Sequence, residues 1–209
     1  MKNNLFLSIL GLLVFSSCEK ENNATVKKIN YYNIIASDQS EYVSYFDIED
    51  TTIQAEGYSS SHTDEYSIQL DLNKDGQLDY KFIVSSKGGN GGYSISTEVM
   101  PLNQNQIAID TFYVLFDRKI LCPKILEAGD TINDNLNFQS LDNYYKLSYF
   151  THLVSDDWED YVEGFWNGET NKYVGIKFIS TQQDTLFGWI RIDVVDYSKL
   201  TIKDYAFRK

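Results

Sequence analysis

Histidine, cysteine, proline and positive charge are all scarce in this chain of 209 residues, and each scarcity narrows what it can do. The only two histidines are His62 and His152, and neither has a second histidine or a cysteine at zinc-ligand spacing. No Gly-x-Ser-x-Gly elbow is present to present a serine nucleophile. Lysine and arginine total 18 against 30 carboxylates, a net charge of −12, and no basic stripe is offered to phosphates. That balance excludes nucleic acid as a partner and excludes an anionic membrane surface bound by the protein's own side chains. It suits a soluble extracytoplasmic protein that meets divalent cations. Cys122 lies in Arg118–Pro123 between apolar residues with no histidine nearby, which fits a buried small hydrophobe better than a nucleophile. The glycine-rich run Gly88–Gly92 has no helix after it and so makes no phosphate cradle; it reads as a hairpin loop.

Aromatic residues, mostly tyrosine, are abundant, and hydrophobic (43%) and charged (23%) fractions place the chain among globular proteins. Tyr, Ile, Val, Thr and Phe favour strands. Strand character recurs at Ile29–Ile35, Tyr42–Phe46, Tyr66–Leu72, Leu78–Val84, Tyr93–Val99, Phe112–Phe116, Tyr144–Phe150, Tyr161–Phe165, Lys172–Ile179, Leu186–Val194 and Leu200–Phe207. Several alternate cleanly, as in Tyr173–Phe178 and Trp189–Val194, and turn residues separate them. The pattern leaves room for one short helix, Leu102–Ile109. Many short strands with frequent turns predict an all-β fold, a single antiparallel β-sandwich or jelly-roll-like domain over residues 28–209.

The N-terminus carries a different kind of signal. Lys2 is followed by the apolar run Leu5–Phe15, too short to span a membrane, then by Ser16, Ser17 and Cys18. This arrangement resembles the lipobox of bacterial lipoproteins, with Phe15 where leucine is commonest. The resemblance implies a signal peptide over residues 1–17, cleavage before Cys18, and a diacylglycerol on the Cys18 thiol that anchors the protein to a membrane. An ordinary signal peptide cut near Ser17 is the plainer alternative. Residues 18–27 read as a lipidated flexible tether, and Glu19-Lys20-Glu21 resembles the export signals of outer-membrane lipoproteins. The expected location is therefore the outer membrane, facing periplasm or exterior. If Cys18 carries lipid, Cys122 has no intramolecular partner and the fold stands without a disulfide.

One loop carries metal-type chemistry. Asp71, Asn73 and Asp75 place oxygen side chains at alternating positions, Gly76 allows a sharp turn, Gln77 offers its backbone carbonyl, and Asp79 closes the set. Calcium takes six to eight hard oxygens, and a chain wound around the ion supplies them. Phe82 stands where an EF-hand has its bidentate glutamate, so the loop is not an EF-hand. It resembles the DxNxDGxxD loops of FG-GAP and similar extracellular calcium repeats, which implies a structural Ca2+ in a β-hairpin. A solvated turn using Asn73, Asp75 and Gly76 only for turn chemistry is the alternative.

The order Lys172–Phe178, Phe187–Ile192, Leu200–Phe207 resembles the closing strands of a diffuse group of secreted bacterial β-sandwich proteins. A DxNxDG hairpin upstream and the turn Ala128–Ile132 extend the likeness along most of the mature chain. It implies a fold and a location, with no activity attached. Trp166 and Trp189 read as core plugs, with ligand stacking by Trp189 as the alternative. Asp156–Glu163 is the densest acidic stretch, interleaved with aromatics; paired carboxylates can serve glycoside hydrolysis, but adjacency does not give that geometry and a solvated loop is the better reading. The leading expectation is thus a non-enzymatic, calcium-stabilised surface lipoprotein that binds a partner or serves envelope structure. A carbohydrate-binding module with a glycan partner comes second, and a hydrolase working near Asp156 third.

Overall fold

Among the described residues the segments with alternating apolar residues form strands, and the strands pair antiparallel into sheets that bury their apolar rows against each other. The computed structural model describes residues 33–55, 63–89, 91–114, 118–140, 144–153, 160–180 and 184–209. Contacts group Tyr31–Lys209 into one unit. In chain order the strands are β1 (Ile34–Ile35), β2 (Val43–Gln54), β3 (Thr63–Leu70), β4 (Tyr80–Gly89), β5 (Gly92–Pro101), β6 (Gln106–Val114), β7 (Arg118–Pro123) and β8 (Ile125–Leu126). There follow β9 (Thr131–Ile132), β10 (Phe138–Gln139), β11 (Tyr145–Leu153), β12 (Asp160–Glu163), β13 (Glu169–Ile179), β14 (Thr185–Asp196) and β15 (Lys199–Arg208). One sheet runs β10-β6-β13-β14-β15-β2, with β7 added on β6 and β8 on β13; the second runs β12-β11-β5-β4-β3. The short pair β1-β9 forms a separate ribbon.

The all-β expectation holds, and the two larger sheets pack as a sandwich. Phe82, Val84 and Leu147 from the five-stranded sheet meet Ile176, Phe178, Ile190, Ile192 and Val194 from the eight-stranded one. Each such side chain contributes on the order of 1.5–3 kcal/mol by leaving water. Register shifts keep the alternation in phase with the core. In β15, Leu200 and Ile202 face the core, the pairing slips between Ile202 and Asp204, and Tyr205 and Phe207 then face inward. One extra residue flips every later side chain, so without this bulge Asp204 would point into the core. The strand glycine Gly188 lies where an added Cβ would sit 2.5 Å from the Ala206 carbonyl oxygen and 3.0 Å from Phe207 Cβ, so no larger residue fits.

The short helix allowed over Leu102–Ile109 is not there. Residues 103–104 form a turn, and Gln106 opens β6. The tie that wins is tertiary: Asn105 is buried and bonded to two other segments, which holds the chain in a turn and leads it into pairing. Gly88, Gly89 and Gly92 of the expected hairpin loop belong to β4 and β5, paired in register up to Gly89↔Gly92.

A second apolar layer covers the far face of the eight-stranded sheet. Tyr173, Phe187, Trp189 and Ala206 are buried there beneath Ile34 and Ile132 of the β1-β9 ribbon. Trp189 is fully buried, edge-on to Tyr173 at 5.2 Å, so it is a core residue and has no surface to stack a ligand. The outer face of the five-stranded sheet carries no such layer among the described residues, and it remains polar.

Candidate functional site

The loop between β3 and β4 is built by its own oxygens. The Asp71 carboxylate accepts the backbone N–H groups of Asp75 (3.1 Å) and Gly76 (2.8 Å), pulling the far side of the loop back onto its start. The Asn73 side-chain oxygen accepts from the same Asp75 N–H at 3.1 Å. Asp75 accepts the Gln77 N–H at 2.9 Å and the Asn73 amide at 2.8 Å. Lys74 (φ 58°) and Gly76 (φ 88°) take the left-handed conformations that let the chain wind this tightly. The Asp71 and Asn73 oxygens therefore meet at the Asp75 amide, and the Asp75 carboxylate is tied to Asn73 and Gln77 beside them, each with lone pairs to spare. Gln77 is exposed beside them. The Lys74 ammonium lies 4.9 Å from the centre of the Phe46 ring, tying the loop across to the other sheet.

Asp79 does something else. It is 4% exposed, and its carboxylate accepts the Leu72 N–H at 2.8 Å and the Asn105 side-chain amide at 3.0 Å. Asn105 in turn accepts the Ile179 N–H at 3.0 Å, so one carboxylate and one amide clamp three segments at this end of the sandwich. Burial pushes the Asp79 carboxyl above the usual carboxylate range; the two hydrogen bonds oppose this, and the charges of Asp75 and Asp71 add to it. A polar cavity of about 250 Å3 opens beside Asp75, Asp79, Asn103, Asn105 and Ser180. Among the described residues no group of three or more His, Cys, Asp or Glu side chains is gathered as a metal set. The oxygens linked through the loop amides are two carboxylates and an amide, hard donors of the type calcium takes, with the Gln77 carbonyl next in the winding.

A second feature lies on the outer face of the five-stranded sheet. Ile83 and Ser96, at mid-strand on β4 and β5, are only 2% and 5% exposed although they point away from the core. They floor a groove of about 340 Å3 walled by Glu65, Lys87, Glu98, Tyr144, Lys146 and Tyr149. A further volume of about 290 Å3 continues toward Gly91 and Gly92 and shares Lys87, Ser94 and Tyr149 with the first. Tyr144 is 48% exposed at the rim. The sequence carried a signal for this face in the alternation Lys81, Ile83, Ser85, Lys87 and Ser94, Ser96, Glu98, which sequence reasoning alone did not single out.

The remaining candidates separate cleanly. Trp166 is buried, its indole N–H donating to the Pro123 carbonyl at 2.8 Å. Cys122 is buried and free, and desolvation pushes its thiol up to about 11, so the thiolate nucleophile is suppressed at neutral pH. Asp204 is 1% exposed but fully engaged: Arg191 donates two hydrogen bonds to it, at 2.8 and 2.5 Å, and the Tyr45 hydroxyl a third at 2.9 Å. Burial and that carboxylate push Tyr45 up to about 12. Cys18, the tether, His62 and Asp156–Glu159 lie outside the described residues. Asp160–Glu163 forms β12, and His152 pairs in register with Asp160. No protein-family model, curated protein or solved structure matches this chain.

Proposed function

We propose that this chain is an exported lipoprotein, anchored through acyl chains on Cys18, whose β-sandwich is stabilised by Ca2+ and acts by binding rather than by catalysis. The observation that carries the calcium part is that the Asp71 and Asn73 oxygens meet on the Asp75 amide while the Asp75 carboxylate is tied to Asn73 and Gln77, with Asp79 close enough to feel the charges of Asp71 and Asp75. Three carboxylates in one short loop repel one another by roughly 1–4 kcal/mol per close pair, depending on local screening. A divalent ion among them would reverse that sign and supply the missing countercharge. Asp71, Asn73, Asp75 and the Gln77 carbonyl would hold it, and Asp79 would position the loop from beneath while staying within its field. The ion is then a structural pin at one end of the sandwich, suited to the high calcium outside cells.

The anchor reading rests on the Leu5–Phe15 run and Ser16-Ser17-Cys18. Two or three acyl chains contribute on the order of 0.8 kcal/mol per buried methylene, enough to hold a soluble domain on a bilayer. Outer-membrane residence, facing periplasm or exterior, follows from the tether. Labelled palmitate should enter the wild-type chain expressed in a gram-negative host and be absent from Cys18→Ser. Label retained in the variant, or none in either, overturns the anchor. Calcium binding is tested by thermal unfolding with and without chelator, as worked out below.

A further inference from the structure

The geometry points to a binding site for a neutral polysaccharide chain in the groove on the outer face of the five-stranded sheet. The inference rests on the binding role proposed above and adds its ligand class.

Three observations carry it. The first is shape. An open, solvated sheet face leaves its mid-strand side chains accessible, yet Ile83 and Ser96 are almost sealed at the floor. From Glu98 to Gly92 along β5 the groove runs roughly 20 Å at the rise of an antiparallel strand, long enough for several sugar rings in a row.

The second is a bulge that shapes this face. In a regular strand Lys146 and Tyr149, three apart, would point to opposite faces. The register of β11 slips between Lys146 and Ser148, so Leu147 and Ser148 both turn inward and Lys146 and Tyr149 both turn out. The Lys146 ammonium then sits 3.6 Å from the centre of the Tyr149 ring. The segment after β12 locks this bulge: the Trp166 N–H donates to the Leu147 carbonyl at 3.2 Å, and Gly164 (φ +83°) comes so close that an added Cβ would lie 2.2 Å from that oxygen. Bulges that re-aim side chains concentrate next to binding sites.

The third is chemistry. The lining offers the hydroxyls of Ser85, Ser94 and Ser96, the tyrosines 144 and 149, two ammonium groups (Lys87, Lys146) and two carboxylates (Glu65, Glu98). These charges balance, in a chain of net charge −12, so the groove selects neither a polyanion nor a polycation. The backbone groups of β4, β5 and β11 beneath the groove are spent in the sheet, so a peptide lying in it finds no backbone to pair with, and the described lining holds no cluster of large apolar anchors for a protein hot spot. Hydroxyl-rich rings, apolar on their C–H faces, match both the serine row and the aromatic walls.

The test is affinity electrophoresis of the mature domain in gels containing hydroxyethylcellulose, arabinoxylan, galactomannan or dextran, with polygalacturonate and heparin as the charged arm. At least one neutral polymer should retard the wild type. Tyr149→Ala should lose about tenfold in affinity, the scale of losing an anchor residue. Ser94→Trp, which fills the groove without removing a wall, should bind no better than Tyr149→Ala, and both variants should melt within a few degrees of wild type. Asp75→Ala should keep its retardation, because the loop precedes Tyr80 and shares no residue with the groove, which opens from Ile83 onward on the outer face; loss of calcium stabilisation with retention of polysaccharide therefore separates the two readings. No retardation by any neutral polymer, retardation by polyanions only, or unchanged binding in both groove variants overturns the proposal.

Discussion

Adding calcium to the chelated protein should raise its melting temperature by an amount that the loop chemistry sets in advance. Extracellular calcium modules hold the ion with dissociation constants of about 0.1–1 mM. At about 10 mM free Ca2+ the folded state gains RT ln(1 + [L]/Kd), about 1.4–2.7 kcal/mol. For a domain of this size each kcal/mol moves the midpoint by about 2–4 °C, so the expected shift is about 3–11 °C. Differential scanning calorimetry in chelator and in calcium measures it directly. Asp75→Ala supplies the control, with one complication that the hydrogen bonds predict. Asp75 also accepts from the Gln77 N–H and the Asn73 amide, so the variant should melt lower than wild type even in chelator, by about 1 kcal/mol of stability. The criterion is the calcium-induced shift, which should vanish in the variant, rather than its absolute midpoint. Magnesium, which demands stricter octahedral geometry and gives up its waters reluctantly, should produce less than half the calcium shift.

The same experiment has a pH arm with a definite sign. The folded-state Asp79 carboxyl is raised, so without an ion its contribution favours the folded state below the ordinary aspartate range of about 3.9 and is lost as pH rises through the raised folded value. In chelator, ionised Asp79 therefore costs stability at neutral pH. A bound cation would offset that cost and would need the loop carboxylates ionised, so the calcium-induced shift should be full at neutral pH and shrink toward zero as the solution is acidified through the aspartate range. A calcium shift under one degree at neutral pH, or one that survives unchanged in Asp75→Ala, refutes the loop as the site.

Three other outcomes follow from named contacts. Arg191→Met strands the buried Asp204 carboxylate with only Tyr45 for a donor and should destabilise by about 3 kcal/mol in urea unfolding, while Arg191→Met with Asp204→Leu should recover most of it. Gly164→Ala forces both a strained φ and a clash with the Leu147 carbonyl, and should cost more than about 2 kcal/mol while leaving the calcium shift intact. The Cys122 thiol should resist a disulfide reagent at pH 8 in the native protein and react within minutes once the chain is unfolded; fast native labelling would contradict its burial.

The long inner strands were legible because each repeats a two-residue apolar alternation over six or more positions, as in Tyr173–Phe178 and Trp189–Val194. Less legible were features set by contacts between distant segments. Nothing near Leu102–Ile109 announces that Asn105 will bond to Asp79 and Ile179, and those bonds are what exclude a helix there. The two-residue strands are too short to show any period: β8 and β10 exist because the longer β13 and β6 offer them an edge, and β1 and β9 only because they pair with each other. Bulges were hidden for a related reason. In β15 the residues Leu200, Ile202, Tyr205 and Phe207 break strict alternation, and only the pairing with β14, where adjacent Arg191 and Ile192 face Asp204 and Ile202, shows that the break is a single slipped residue. In the loop, spacing brought out Asp71, Asn73 and Asp75 as one hydrogen-bonded set but not the inward role of Asp79, because the Leu72 amide and Asn105 that engage it are invisible to a spacing rule.

The contrast between the two outer faces explains why binding is placed where it is. On the eight-stranded sheet the outward rows are Tyr173, Phe187 and Trp189, and the fold spends the β1-β9 ribbon to cover them. That face is a second core and has nothing left to offer a ligand. On the five-stranded sheet the outward rows are serines, lysines, glutamates and tyrosines, with Ile83 sunk among them. A face meant only for solvent would need no sealed floor and no bulge in β11. Here the bulge is held by Gly164 and Trp166, and its consequence is to stand Lys146 beside Tyr149 at the groove wall. Straightening β11 by deleting Leu147 should therefore turn Lys146 or Tyr149 into the sandwich and destabilise the domain. Replacing the pair on the existing bulge, as in Tyr149→Ala, should leave stability nearly unchanged and remove binding. That split between folding and recognition is what a site built on a rigid sheet should display, and a parallel loss of both in Tyr149→Ala would return the tyrosine to a packing role.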